Sequence, residues 1–247
     1  MSLAALEKLH DERPKAIESC VAVAGYSIGE LTGLIFSGAM TYEEGLKLVA
    51  VRGAAMQQAS EISSQGMLFC YCLPSSNVFQ ICKQAEKWAI NIGASHPVCR
   101  IAIYLHTQGK IFGGCNEALN YIQKHSAELG LRRVQKLPVS GGFHTILMEP
   151  ALKAFTQALD KVQLEFPNTS VYSNYNGNIY SFNQKLNRKY LIKQIISPVK
   201  WEQIIQKIFN RPIDLDFPRT FDIASHGTMK TILQMINAKA AQKCYVY

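Results

Sequence analysis

Ser27 lies in Gly25-Tyr26-Ser27-Ile28-Gly29, a G-x-S-x-G run with a short β-prone stretch, 21–24, before it and apolar residues at helical spacing, 28–36, after it. Between a strand and a helix, such glycines permit a tight, strained turn that lifts a serine hydroxyl above a sheet and leaves room for a substrate. That hydroxyl could attack an acyl carbon. The helix start behind it favours negative charge, and the Ile28 N–H can point at an oxyanion.

A serine needs a base near neutral pH, and the chain has six histidines. His144 is the best placed, in the glycine-rich loop Ser140-Gly141-Gly142-Phe143-His144-Thr145, where backbone freedom lets a side chain reach across a domain. His10, His106 and His125 lie in polar segments and read as surface residues, as does His96 before a proline, and His226 reads as a loop residue. Arg52 is the third informative position, because Leu48, Val49, Ala55 and Met56, three and four residues away, are all apolar. A guanidinium off the solvated face needs an anion, either a structural Asp or Glu or a carboxylate brought by a substrate. The residues alone favour the structural pair.

The elements that must position these residues follow from the hydrophobic period. Thr41 with Glu44 forms a capping box ahead of a helix of about four turns through Arg52. The pattern then predicts a strand at 67–73, a helix at 78–90, strands at 98–105 and 110–113, a helix at 116–128 and a strand at 134–137. This βαββαβ order is that of a ferredoxin-like unit. A helix opened by Glu149 and Pro150, a strand at 170–173, helices at 186–196 and 202–209, a strand at 220–224, a helix at 229–236 and a β-prone end complete the chain. The expected fold is α/β, a parallel-sheet, α/β-hydrolase-like core formed by 1–62 and 138–247, with an inserted ferredoxin-like subdomain at 63–137.

Composition limits the function classes. With 247 residues, 48% hydrophobic and 18% charged, the chain can bury a sizeable core. No apolar run reaches the roughly 18 residues of a membrane span. The first twenty residues fit neither a secretory signal nor a transit peptide. Seven cysteines, an odd number without metal-ligand spacing, read as buried thiols in a reducing compartment, and no metal is expected. The net charge of +8 has no basic block behind it, which favours phosphorylated or acidic-protein partners over nucleic acid. A monomer is expected.

Three segments carry a resemblance: AGYSIGELTGLIFSGAMTYEEGLKLVAVRGAAMQ around Ser27 and Arg52, LPVSGGFHTILMEP around His144, and ISPVKWEQ around Lys200. In order and spacing the chain resembles the malonyl-CoA:acyl-carrier-protein transacylases of fatty-acid synthesis, particularly the mitochondrial type. The resemblance implies that Ser27 is the acylated nucleophile, His144 its base, and Arg52 the clamp for the free malonyl carboxylate, which replaces the structural pair. It also implies that a backbone carbonyl within Pro198-Val199-Lys200-Trp201 orients the histidine, assigned to Lys200. Malonyl-CoA and acyl carrier protein are the implied partners, with no cofactor, a mitochondrial location, and Arg132, Arg133 and Lys136 as candidate carrier contacts.

Departures from the family are also visible. The family opens with a strand and a Gly-Gln-Gly loop that donates a second oxyanion hydrogen bond, and this chain is expected to begin after it. Loss of such a donor costs on the order of a hundredfold to a thousandfold in turnover. Tyr26 replaces a frequent His, and Ser225-His226-Gly227 stands where Gly-Pro-Gly is usual. A serine thioesterase or esterase using the same elbow, or a truncated acyltransferase that only binds carrier protein, are the alternatives.

Overall fold

The apolar run Met67 to Cys72, read as a strand, becomes an inner strand of an antiparallel sheet. A computed structural model describes residues 2–212 and 215–247. In it β2 (Gln65–Cys72), α5 (Val78–Asn91), β3 (Cys99–Tyr104), β4 (Gly109–Cys115), α6 (Asn116–Lys124) and β5 (Leu131–Lys136) follow one another in the expected βαββαβ order. The four strands pair as β3-β4-β2-β5, so the first strand lies between the third and the fourth, a ferredoxin-like arrangement.

Both faces of this sheet are covered, which explains the unbroken apolar run. Leu68, Cys70 and Cys72 face a cluster completed by Ile81, Ala85 and Ile122 of the two helices. Met67 and Phe69 alternate onto the other side, against Trp201, Ile205 and Phe209 of α9 (Trp201–Phe209). The sheet edge is tied to the rest of the chain by backbone bonds: Val199 N–H donates to Ala102 O at 2.9 Å, and Tyr104 N–H to Val199 O at 2.9 Å. A buried ion pair, Lys110 Nζ to Glu202 Oε2 at 3.3 Å, reinforces the seam, and Thr107 Oγ1 donates to Glu202 Oε1 at 2.8 Å.

His106 belongs to this seam and is buried, not a surface residue as its polar neighbours suggested. Its ring lies beside those of Phe69 and Tyr71, and its Nδ1 accepts from Gly109 N–H at 3.0 Å. Burial and the nearby Lys110 hold it below the usual imidazole value. The tight turn folds over its own histidine, so the ring is buried while Thr107 at the tip stays exposed.

The remaining elements form the layer that carries Ser27. They are α1 (Ser2–Glu12), α2 (Pro14–Glu18), β1 (Ala22–Val23), α3 (Ile28–Phe36), α4 (Tyr42–Glu61), a 3-10 helix (Ile146–Ala151), α7 (Leu152–Leu159), β6 (Ser170–Val171) and α8 (Gln184–Ile196). The helix expected to open at Glu149 starts later, because Pro150 sits inside the 3-10 turn and α7 begins at Leu152. At the C-terminal end are β7 (Thr220–Asp222), α10 (Thr228–Ile236), α11 (Ala238–Gln242) and β8 (Cys244–Val246).

Parallel pairing takes the form of two short ladders, β1 with β6 and β7 with β8. The capping box forms: Glu44 N–H donates to Thr41 Oγ1 at 3.2 Å and Thr41 N–H to Glu44 Oε2 at 3.0 Å. Leu31, Leu34, Leu48, Met148, Phe155 and Leu191 pack the core between these helices. Among the described residues no helix is long and apolar enough to cross a membrane.

Candidate active site

β1 feeds directly into a turn whose backbone is strained. Ser27, at the N-cap of α3, has φ 55° and ψ −107°, a conformation that costs a non-glycine residue on the order of 1–3 kcal/mol. The two glycines beside it do different work. A Cβ on Gly25 would fall 1.8 Å from Gly29 O, so only glycine fits, whereas a Cβ on Gly29 would meet nothing within 4 Å and faces open space. Asn174, just after β6, closes the turn: Ser27 N–H donates to Asn174 Oδ1 at 2.7 Å, and Asn174 Nδ2 donates to Gly25 O at 2.8 Å. The Ile28 N–H begins the helix with no acceptor among the described residues, and the Ile28 side chain is exposed.

His144 arrives from the loop after β5. Gly141 and Gly142 serve there by lacking a Cβ more than by flexibility. Added carbons would sit 2.9 Å from Ser60 Cβ and 2.9 Å from Leu147 Cδ1, so the loop threads between neighbours that leave no space. Gly142 N–H is held by Gln65 Oε1 at 2.8 Å. His144 itself has φ 61°, a second strained residue facing the first.

Its Nε2 lies 2.8 Å from Ser27 Oγ and its Nδ1 lies 2.8 Å from Gln194 O. A carbonyl can only accept, so Nδ1 carries the proton and Nε2 is free to take the serine's. The orienting carbonyl is therefore that of Gln194, and the assignment to Lys200 is corrected. Lys200 is the N-cap of α9 and its carbonyl is engaged by Ile204 N–H at 3.0 Å. Gln194 lies in the last turn of α8, where carbonyls have no partner inside the helix.

Arg52, on α4, is 7% exposed and takes part in none of the ion pairs among the described residues. The structural partner that its apolar neighbours favoured is thus not what meets it. Its NH2 donates to Ser27 Oγ at 3.0 Å and to Gln194 Oε1 at 3.2 Å, while its buried Nε has no partner among the described residues. Burial lowers its pKa to about 10, with the charge of Glu30 opposing. Burial also lowers His144 to about 4, with Arg52 adding to the effect and the Gln194 carbonyl opposing it. The imidazole is neutral near pH 7, the state a base requires.

Three participants were missed in the sequence. Glu30 is fully buried and accepts from Gln194 Nε2 at 2.8 Å, Asn174 N–H at 3.1 Å and the Tyr180 hydroxyl. Burial raises its carboxyl above the ordinary value, against the donors of Tyr180, Gln194 and Asn174. Gln194 and Asn174 complete the set. Glu30 could have been found by the argument used for Arg52, since Gly33 and Leu34, three and four residues further on, are apolar.

No family model matches the chain. It is 41% identical over 244 residues to the probable mitochondrial malonyl-CoA-acyl carrier protein transacylase of Drosophila melanogaster, covering 99% of the chain and 64% of that protein. With the human mitochondrial transacylase it shares 43% over 239 residues, 97% of the chain and 61% of that protein. The chain is similar to malonyl-CoA-acyl carrier protein transacylases.

Solved transacylase structures agree on the fold. The enzyme from Clostridium perfringens superposes with a TM-score of 0.84 at 25% identity, covering 100% of this chain and 72% of that one. The Coxiella burnetii transacylase gives 0.78 at 25% identity, covering 91% and 66%. The chain spans 61–64% of the length of these curated mitochondrial transacylases.

Proposed function

We propose that this chain is a malonyl-CoA:acyl-carrier-protein transacylase, moving malonyl from coenzyme A to the phosphopantetheine thiol of acyl carrier protein in mitochondrial fatty-acid synthesis. The observation that carries this reading is Arg52. A buried guanidinium without a carboxylate partner among the described residues, its NH2 3.0 Å from Ser27 Oγ, is placed to receive an acid group borne by an acyl chain on that serine. An acetyl group would leave the same guanidinium unpaired, which is a basis for selectivity.

In the first half-reaction Ser27 Oγ attacks the thioester carbon and His144 Nε2 takes the hydroxyl proton. The carbonyl electron pair moves to oxygen, which the Ile28 N–H is aimed to receive. As the C=O re-forms the C–S bond breaks, and His144 returns the proton to the departing coenzyme A sulfur. In the second half the carrier's thiol gives its proton to His144 and its sulfur attacks the malonyl ester. Ser27 leaves and regains a proton from His144. The Gln194 carbonyl holds Nδ1–H throughout, the task an acidic side chain performs in many hydrolases. Arg132, Arg133 and Lys136 are exposed on β5 and suit an acidic carrier.

The esterase reading of the same elbow predicts water as acceptor. Malonylated chain challenged with holo acyl carrier protein should pass its acyl group to the carrier thiol far faster than it hydrolyses. Release of free malonate at the same rate with and without carrier would reject the transfer reading.

A further inference from the structure

Gln194 bonds to Ser27, Glu30, Arg52 and His144 together. Its backbone carbonyl accepts from His144 Nδ1 at 2.8 Å. Its side-chain Oε1 accepts from Arg52 NH2 at 3.2 Å, and its Nε2 donates to Ser27 O at 2.9 Å and to Glu30 Oε2 at 2.8 Å. The side chain is 2% exposed, so no water competes for those bonds.

The geometry of the amide is determined by its neighbours. Arg52 can only donate and a carboxylate can only accept, so Oε1 must face Arg52 and Nε2 must face Glu30, and the amide cannot flip without losing both. Glu30 is fixed in turn by Asn174 N–H at 3.1 Å and by the Tyr180 hydroxyl. Asn174 also holds Ser27 N–H at 2.7 Å, which returns the network to the elbow.

We propose that the Gln194 side chain, anchored by the Glu30 carboxylate, is a positioning element that ties the Arg52 clamp to the Ser27–His144 pair and so makes acylation by a carboxylated acyl group depend on it. This rests on the malonyl-transfer reading. It differs from the backbone contact to His144, which any residue at this position could supply. A site lacking the side chain keeps that carbonyl and both reacting groups. What it loses is the acceptor that sets the guanidinium and the donor that fixes the carbonyl of Ser27.

Gln194→Ala and Glu30→Gln separate this role from a merely structural one. Two readouts are needed, Ser27 acylation by malonyl-CoA and by acetyl-CoA in single turnovers, and the low-field proton resonance of His144 Nδ1–H in the resting chain. Gln194→Ala should lower the malonyl-to-acetyl rate ratio by about tenfold and broaden the Nδ1–H resonance. Glu30→Gln, nearly isosteric, should move both readouts in the same direction by less. In the Arg52→Ala background, Gln194→Ala should leave the ratio unchanged, because the clamp it sets is gone.

Equal losses with both thioesters in Gln194→Ala, or a ratio within twofold of wild type, overturn the proposal whatever the resonance does. If Gln194→Ala does not fold, the same criteria apply to Glu30→Gln. Wild-type chain that takes no acyl group from either thioester defeats the transfer reading. The resonance then decides the positioning claim: broadening upholds it, and an unchanged signal rejects it.

Discussion

Beneath Ser27 the chain buries Glu30, Arg52, His144, Asn174 and Gln194, each at most 7% exposed, whereas between the antiparallel sheet and its helices it buries Leu68, Cys70, Ile81, Cys99 and Phe112. The first group is held by directional bonds, in which a donor must meet an acceptor and a wrong partner leaves a buried polar atom unpaired. The second is held by volume, where shape and transfer free energy decide and identity matters less. Burial alone therefore does not distinguish a site from a core. A buried cation that pairs with no carboxylate among the described residues does, and Arg52 is the case.

The largest separation between the two regions should come from Arg52→Ala. It is expected to cut malonyl acylation of Ser27 by on the order of a hundredfold, the cost of a lost bidentate charge-assisted pair, while acetyl acylation is kept or rises. Single-turnover rates with the two thioesters measure it. A parallel fall in both would show that Arg52 holds the fold rather than the acyl group.

Phe112→Ala tests the opposite region, since Phe112 is fully buried in the sheet-and-helix cluster. It should lower unfolding free energy by about 3–5 kcal/mol yet leave the acylation rate per folded molecule unchanged. Denaturant unfolding alongside acylation rates would show it. Loss of rate in a fully folded variant would mean that the subdomain shapes the chemistry directly.

A smaller effect is expected in the pH profile. His144, lowered to about 4 by burial and by Arg52, is neutral above that value and protonated below it. Acylation should hold from neutral pH to about one unit above that point and fall as the pH drops through it. Arg52→Ala removes the nearby positive charge, so its acid limb should lie at higher pH, nearer the ordinary 6.5. An unshifted limb would show that burial alone sets the histidine.

How much of this was legible beforehand depends on where the information sits. Ser27, His144 and Arg52 stood out because a serine between glycines, a histidine after glycines and an arginine on an apolar face are each out of place. The βαββαβ unit was legible because short, continuous apolar runs alternate with stretches of helical spacing. The orienting carbonyl was not, since every residue has one. Its owner depends on which helix ends beside His144, and α8 ends there while α9 begins by using the Lys200 carbonyl itself. Asn174 and Gln194 were hidden for a related reason, as polar residues at a strand end and in a helix whose partners lie 147 and 167 residues away in sequence. His106 misled because its neighbours Thr107 and Gln108 do reach solvent while its own ring turns inward under Gly109.

The central claim is that Ser27 receives the acyl group. Intact-protein mass measurement of this chain mixed with malonyl-CoA, beside Ser27→Ala, tests it on a single bond. The account predicts a gain of one malonyl group in the wild-type chain and none in Ser27→Ala. An adduct that persists in Ser27→Ala, or a wild-type chain that gains none, would contradict it.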